Sequence, residues 1–134
     1  MVQKAMGTTL SCLMNEEQVL IGALRSISEI RAETEAVDVT PLDAPEGFRT
    51  YAPGVKNMGE VTLEGFHEKN QPGQQMLRRL FDDGATAAFT VTFPDGTAVS
   101  FDAFVKSYAF SNVEVEGVVH FTAVLCLSGP VEVA

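Results

Sequence analysis

The chain has 134 residues, is 46% hydrophobic and carries a formal charge of −9. That length supports one ordinary core without staples, and the apolar content excludes a disordered protein. The acidic balance, with Arg78-Arg79 the only basic doublet, excludes a nucleic-acid grip, which needs a basic stripe to displace counterions. No run reaches the roughly 18–20 apolar residues of a membrane-spanning helix.

The start, Met1 to Met6, lacks the apolar stretch of a signal peptide, so the expected compartment is the cytoplasm. Gly7 to Met14 suits a first strand and Gln18 to Leu24 a second, both rich in β-branched or apolar residues. A third strand is predicted within Ile27–Val39, where Val37 and Val39 alternate with polar neighbours after an acidic beginning. Three of the six prolines then fall between Thr40 and Asn57, which excludes a central strand there. The result is a long loop or arm at about 40–58, roughly 18 residues, and loops of that length are usually functional or disordered. Its apolar residues Leu42, Phe48, Tyr51 and Val55 would be anomalous in free solvent and useful against a partner.

Gly59 to Phe66 returns to strand character, with Val61 and Leu63 between Glu60, Thr62 and Glu64. One helix follows: Asn70 is the expected cap, Pro72 fits the first turn, Met76, Leu77, Leu80 and Phe81 recur at helical spacing, and Gly84 ends it. Beyond it Phe89, Val91 and Phe93 share a face, Pro94-Asp95-Gly96 turns the chain, and Val99, Phe101, Ala103 and Val105 return. A turn near Ser111-Asn112 leads into a last long strand expected over Val113 to Leu127, in which Val119, Phe121, Ala123, Leu125 and Leu127 alternate. The fold class is mainly β, a sandwich or barrel with a single helix across it, in one domain spanning 1–134.

Chemistry is sparse. His67 and His120 lack companions at metal-ligand spacing, and no serine sits in a Gly-x-Ser-x-Gly elbow. Glu60 and Glu64 share a strand face but read as a solvated surface, as do Glu33 and Glu35. Cys12 and Cys126 lie in apolar, β-rich surroundings without redox or zinc spacing and are expected to be reduced. No catalytic, metal or cofactor set can be named, and an enzyme is not expected.

Three fragments carry a resemblance: Gly7-Thr8-Thr9-Leu10 opening the first strand, Gly73-Gln74-Gln75-Met76-Leu77 opening the helix, and Phe93-Pro94-Asp95-Gly96-Thr97 in a hairpin, with Phe101 and Val105 downstream. In this order the chain resembles the major tail tube proteins of long-tailed, lambda-like bacteriophages, phage or prophage encoded. The resemblance implies a virion structural protein that self-assembles into stacked hexameric rings, a tail tube acting as a conduit for DNA ejection without specific DNA binding or membrane contact. Implied partners are further copies of itself and the tape-measure, tail-tip and terminator proteins. Assembly in the bacterial host cytoplasm is implied as well. A C-terminal immunoglobulin-like domain, carried by some relatives, is not expected after Ala134. Within this class a tail terminator, a tube initiator and a type VI secretion tube remain open. The arm would then contact an adjacent ring, and Glu33, Glu35, Glu60 and Glu64 are candidates for the lumen wall. The competing class is a monomeric β-barrel that binds a small apolar ligand, suggested by alternating strands and nine phenylalanines.

Overall fold

In the computed structural model residues 5–14 and 17–134 are described. Ten strands and one helix follow in chain order: β1 Thr9–Met14, β2 Glu17–Leu20, β3 Leu24–Ile27, β4 Glu33–Asp38, β5 Tyr51–Asn57, β6 Glu60–Phe66, α1 Pro72–Asp83, β7 Thr86–Thr92, β8 Ala98–Ser111, β9 His120–Leu127 and β10 Glu132–Val133. Eight strands form one antiparallel sheet in the order β2-β1-β7-β8-β9-β6-β3, with β10 paired to β8. β4 and β5 form a separate two-stranded sheet.

Alternation builds the core. Leu10 and Cys12 of β1, Phe89 and Val91 of β7, Val99 to Val105 at odd positions of β8, Val61 and Leu63 of β6, and Phe121, Ala123 and Leu125 of β9 all point inward and are buried. Met76, Leu77 and Leu80 bring the helix onto the same core, while Phe81 stays largely exposed. The fourteen-residue β8 serves two half-sheets, pairing with β7 through Phe104 and with β9 from Ala103 onward. A register shift between Val105 and Ser107 leaves Lys106 as the extra residue, turned outward. Parity inverts there, so Tyr108 rather than Ser107 stacks on buried Phe121, centroids 5.5 Å apart.

The two ends of the sheet path, β2 and β3, are consecutive in the chain, separated only by Ile21, Gly22 and Ala23. Four Cα steps span at most about 14 Å, so the sheet rolls until its first and last strands nearly meet. The expected single second strand is thus two strands on opposite rims, divided where Ala23 takes the left-handed conformation (φ 60°). The helix begins one residue later than expected. Gln71, not Asn70, is the N-cap, its side chain accepting the Gln74 N–H at 2.9 Å. Gly84 closes the helix as expected, at φ 66°, donating to Leu80 O.

Residues 51–57 correct the expected unbroken loop at about 40–58: they form β5, paired with β4 over Glu33–Asp38. Pro53 is tolerated because a two-stranded ribbon is all edge, and it sits opposite Ala36 beside a register shift.

Candidate assembly site

The β4–β5 hairpin pairs with no other strand among the described residues. Every residue of β4 is exposed, and Val37, Val39, Leu42, Phe48, Tyr51 and Val55 present apolar surface to solvent, Phe48 at 71% and Val55 at 75%. An isolated hairpin of this kind is marginal in water.

Its tip, residues 39–50, nevertheless has defined internal bonding. The Asp38 carboxylate accepts from the Thr40 N–H at 3.0 Å and from the Arg49 guanidinium at 3.1 Å. Thr40 Oγ1 accepts the Thr50 N–H at 2.7 Å, and a 3-10 turn spans Pro45–Gly47 with Glu46 and Gly47 at positive φ. Bonding to Thr40, then to Arg49, holds the Asp38 carboxyl below the usual carboxylate range. The arm is shaped before it meets anything.

The four acidic candidates fall in two places. Glu33 and Glu35 lie on the arm, Glu33 3.6 Å from Arg31 and Glu35 without a cation in reach among the described residues. Glu60 and Glu64 lie on the outer face of β6, away from the core. Glu60 pairs with Lys106, raising the ammonium's affinity for its proton, and Glu64 lies 3.7 Å from Arg25 and 3.6 Å from His120. That face is therefore mixed in charge rather than uniformly acidic.

A second feature escaped the sequence reading as a site. Gln74 is wholly buried, and its amide is fully used. Nε2 donates to Gly22 O at 3.0 Å and Phe66 O at 2.9 Å, while Oε1 accepts the Glu68 N–H at 2.9 Å. Gln71 Nε2 donates to Leu20 O at 3.1 Å. Gly73 lies so close to Leu20 O and Ile21 that a Cβ would stand 2.3 Å from the oxygen. Together these residues latch the start of α1 onto the link between the two sheet rims. The only hint in sequence was the Gly73-Gln74 motif itself. The other two motifs meet as well, since a Cβ on Gly7 would touch Pro94 at 3.3 Å. Asp95 accepts the Thr97 N–H at 2.9 Å within that turn, which lowers its pKa.

Buried Cys12 has its thiol pushed up to about 11 by desolvation, and both Cys12 and Cys126 are free. Among the described residues no His, Cys, Asp and Glu side chains gather as a metal-binding group. No helix among them is long and apolar enough to cross a membrane. His67 and His120 pack edge-on against Phe110 and Phe66.

The family model described as lambda phage tail tube protein, TTP, matches residues 2–134. No curated protein matches the chain by sequence. Among solved structures, the tail of an empty gene transfer agent (GTA) particle with C6 symmetry superposes with a TM-score of 0.82 at 20% identity, covering 99% of both chains. A chain of the anti-feeding prophage (AFP) baseplate gives 0.80 at 15% identity, covering 100% of this chain and 97% of that one. The SPP1 tail tube gives 0.73 at 15% identity, covering 97% of this chain and 78% of that one.

Proposed function

The chain belongs to the lambda phage tail tube protein family, as a structural protein of the tail and not an enzyme, and we propose that it closes into hexameric rings whose stack forms a conduit for DNA. One observation carries the ring: a rolled sheet with outer rims at β2 and β3 and a separate hairpin, none of which finds a further strand partner among the described residues. Unpaired rims invite uncontrolled association unless copies of the chain complete them, and closed symmetry uses them up. The C6 symmetry of the similar gene transfer agent tail supports six copies.

In this reading 1–134 is a single tube domain, and Leu42, Phe48, Tyr51 and Val55 of the arm contact an adjacent ring. Glu60 and Glu64, with Glu33 and Glu35 on the arm, supply carboxylates to the lumen wall. The overall charge of −9, multiplied around a ring, keeps a polyanion sliding rather than sticking. Terminator, tail-tip and tape-measure proteins complete the tail, which is put together in the host cytoplasm. The similarity to an anti-feeding prophage tube-terminating cap (TM-score 0.63, 14% identity) supports the terminator as a partner built on the same fold. The ligand-binding barrel has no comparable support, since the matching family and the similar structures belong to tails.

Negative-stain microscopy of the purified chain at high concentration tests the proposal. Rings or tubes of uniform width are expected; particles that stay single at every concentration, with or without a tail-tip initiator, would refute it.

A further inference from the structure

An aspartate followed by glycine is prone to spontaneous backbone rearrangement, because glycine has no side chain to screen its nitrogen from the preceding carboxyl. The chain has two such pairs, Asp83-Gly84 and Asp95-Gly96, and all four residues are exposed, so burial keeps water from neither. Rearrangement needs a free glycine nitrogen, a carboxyl it can attack, and backbone freedom to bring the two together.

The β7–β8 hairpin withholds each of these at Asp95-Gly96. The Gly96 N–H donates to Phe93 O at 3.0 Å, and the Phe93 N–H donates to Thr97 O at 2.9 Å, so the nitrogen is committed and the turn is closed. Asp95 Oδ1 accepts the Thr97 N–H at 2.9 Å, which ties the carboxylate to Thr97. That bond also holds the carboxyl below its usual range, in the ionised form, which is a poor electrophile. Beneath the turn Thr92 pairs with Ala98 and Val91 with Val99, and a Cβ on Gly7 would stand only 3.3 Å from the Pro94 ring. At the helix end the Gly84 N–H is committed in the same way, to Leu80 O at 2.9 Å.

We propose that Asp95-Gly96 is a latent isomerisation site, held shut by the folded hairpin and reactive whenever the hairpin opens. In the opened chain the Gly96 nitrogen bonds to Asp95 Cγ. The carboxyl hydroxyl and the amide proton leave together as water, giving a cyclic succinimide. Water then adds to one of its two carbonyls and breaks one carbon–nitrogen bond, restoring aspartate or leaving isoaspartate. No oxidant or cofactor is consumed. Isoaspartate inserts an extra backbone carbon between β7 and β8, so the rearranged turn no longer matches the register that carries Val91 and Val99 into the core. A passing opening is thereby recorded as a lasting chemical change.

Isoaspartate counting tests it. The folded chain, the chain denatured in guanidinium, and a synthetic peptide spanning Val91 to Ser100 are incubated together at neutral pH. Asp95 is followed by mass spectrometry of fragments from an endoprotease that cleaves before aspartate but not before isoaspartate. The folded chain should convert at least about tenfold more slowly than the peptide, because it reacts only through locally opened states. The denatured chain should match the peptide. Asp95→Asn, which keeps an acceptor for the Thr97 N–H, gives a second reading: ammonia release should be slow in the folded variant and match the corresponding peptide in the denatured one. A folded chain converting at the peptide's rate would show that the turn's bonds shield nothing. A denatured chain as slow as the folded one would assign the protection to local sequence, and either result overturns the proposal. Tube formation enters neither reading, so the assembly proposal is tested separately.

Discussion

Replacing Gln74 with leucine isolates the latch between helix and sheet rims. The change keeps approximate volume but strips the Glu68 N–H and the Gly22 and Phe66 carbonyls of their partners. A buried group left unpaired costs about 1–3 kcal/mol, so three give roughly 3–6 kcal/mol once partial rescue by relaxation is allowed. The leucine returns about 1–2 kcal/mol by apolar burial. A net loss of about 1–5 kcal/mol is expected, a sizeable share of the roughly 5–15 kcal/mol of a typical domain. Urea unfolding followed by circular dichroism should show a lower midpoint with an unchanged slope. Gln75→Leu is the internal control: Gln75 is exposed and donates only to Lys69 O at 2.8 Å, so its loss should stay within about 1 kcal/mol. If the two leucine variants unfold at the same urea concentration, the latch argument is wrong.

The double variant Leu42→Ser/Phe48→Ser should lose tube formation while its thermal unfolding stays within about 0.5 kcal/mol of the parent, because both side chains are solvated in the free subunit; a matching loss of stability would show that the arm packs on its own domain. Glu60→Lys/Glu64→Lys should slow or block DNA ejection from particles that still assemble, and normal ejection would remove these residues from the lumen wall. Ellman's reagent at pH 8 should titrate Cys126 in the native protein and spare Cys12, whose thiol titrates only near 11; two rapidly reacting thiols would contradict the burial. Asp38 is held below its ordinary 3.8, so its contribution to the arm is complete at neutral pH and fades as pH falls below that value toward the folded pKa. The protection of the Thr40 amide, judged by its exchange rate relative to an unstructured peptide at the same pH, should fall on such acidification and stay constant between pH 6 and 8.

The sequence pattern was most legible where burial enforces it. β6, β7 and β9 alternate cleanly because one face meets the core, and Pro72 and Gly84 bracket the helix by their backbone preferences alone. The break at Ala23 was not legible, since alanine carries no mark of a left-handed conformation; the rolled sheet and the Gln74 contacts hold it there. Gln71 as cap was hidden for a similar reason, because its side chain is fixed partly by Leu20, fifty-one residues away. β5 was obscured by Pro53 and Gly54, which forbid an interior strand but not a ribbon with two open sides. The inverted parity beyond Lys106 depends on a pairing offset with β9 that no single-strand pattern contains. At the candidate site, the arm's apolar residues were readable from composition, while their exposure was not, because only the fold shows that the β4–β5 ribbon stands apart from the main sheet.

The short span Ile21–Ala23 has a mechanical meaning for a closed ring. Both borders of the subunit hang from it, and one amide, that of Gln74, clamps it to the helix. If neighbours in the proposed ring hold the two borders, they pull on a common hinge pin, and a strain applied to one flank reaches the other.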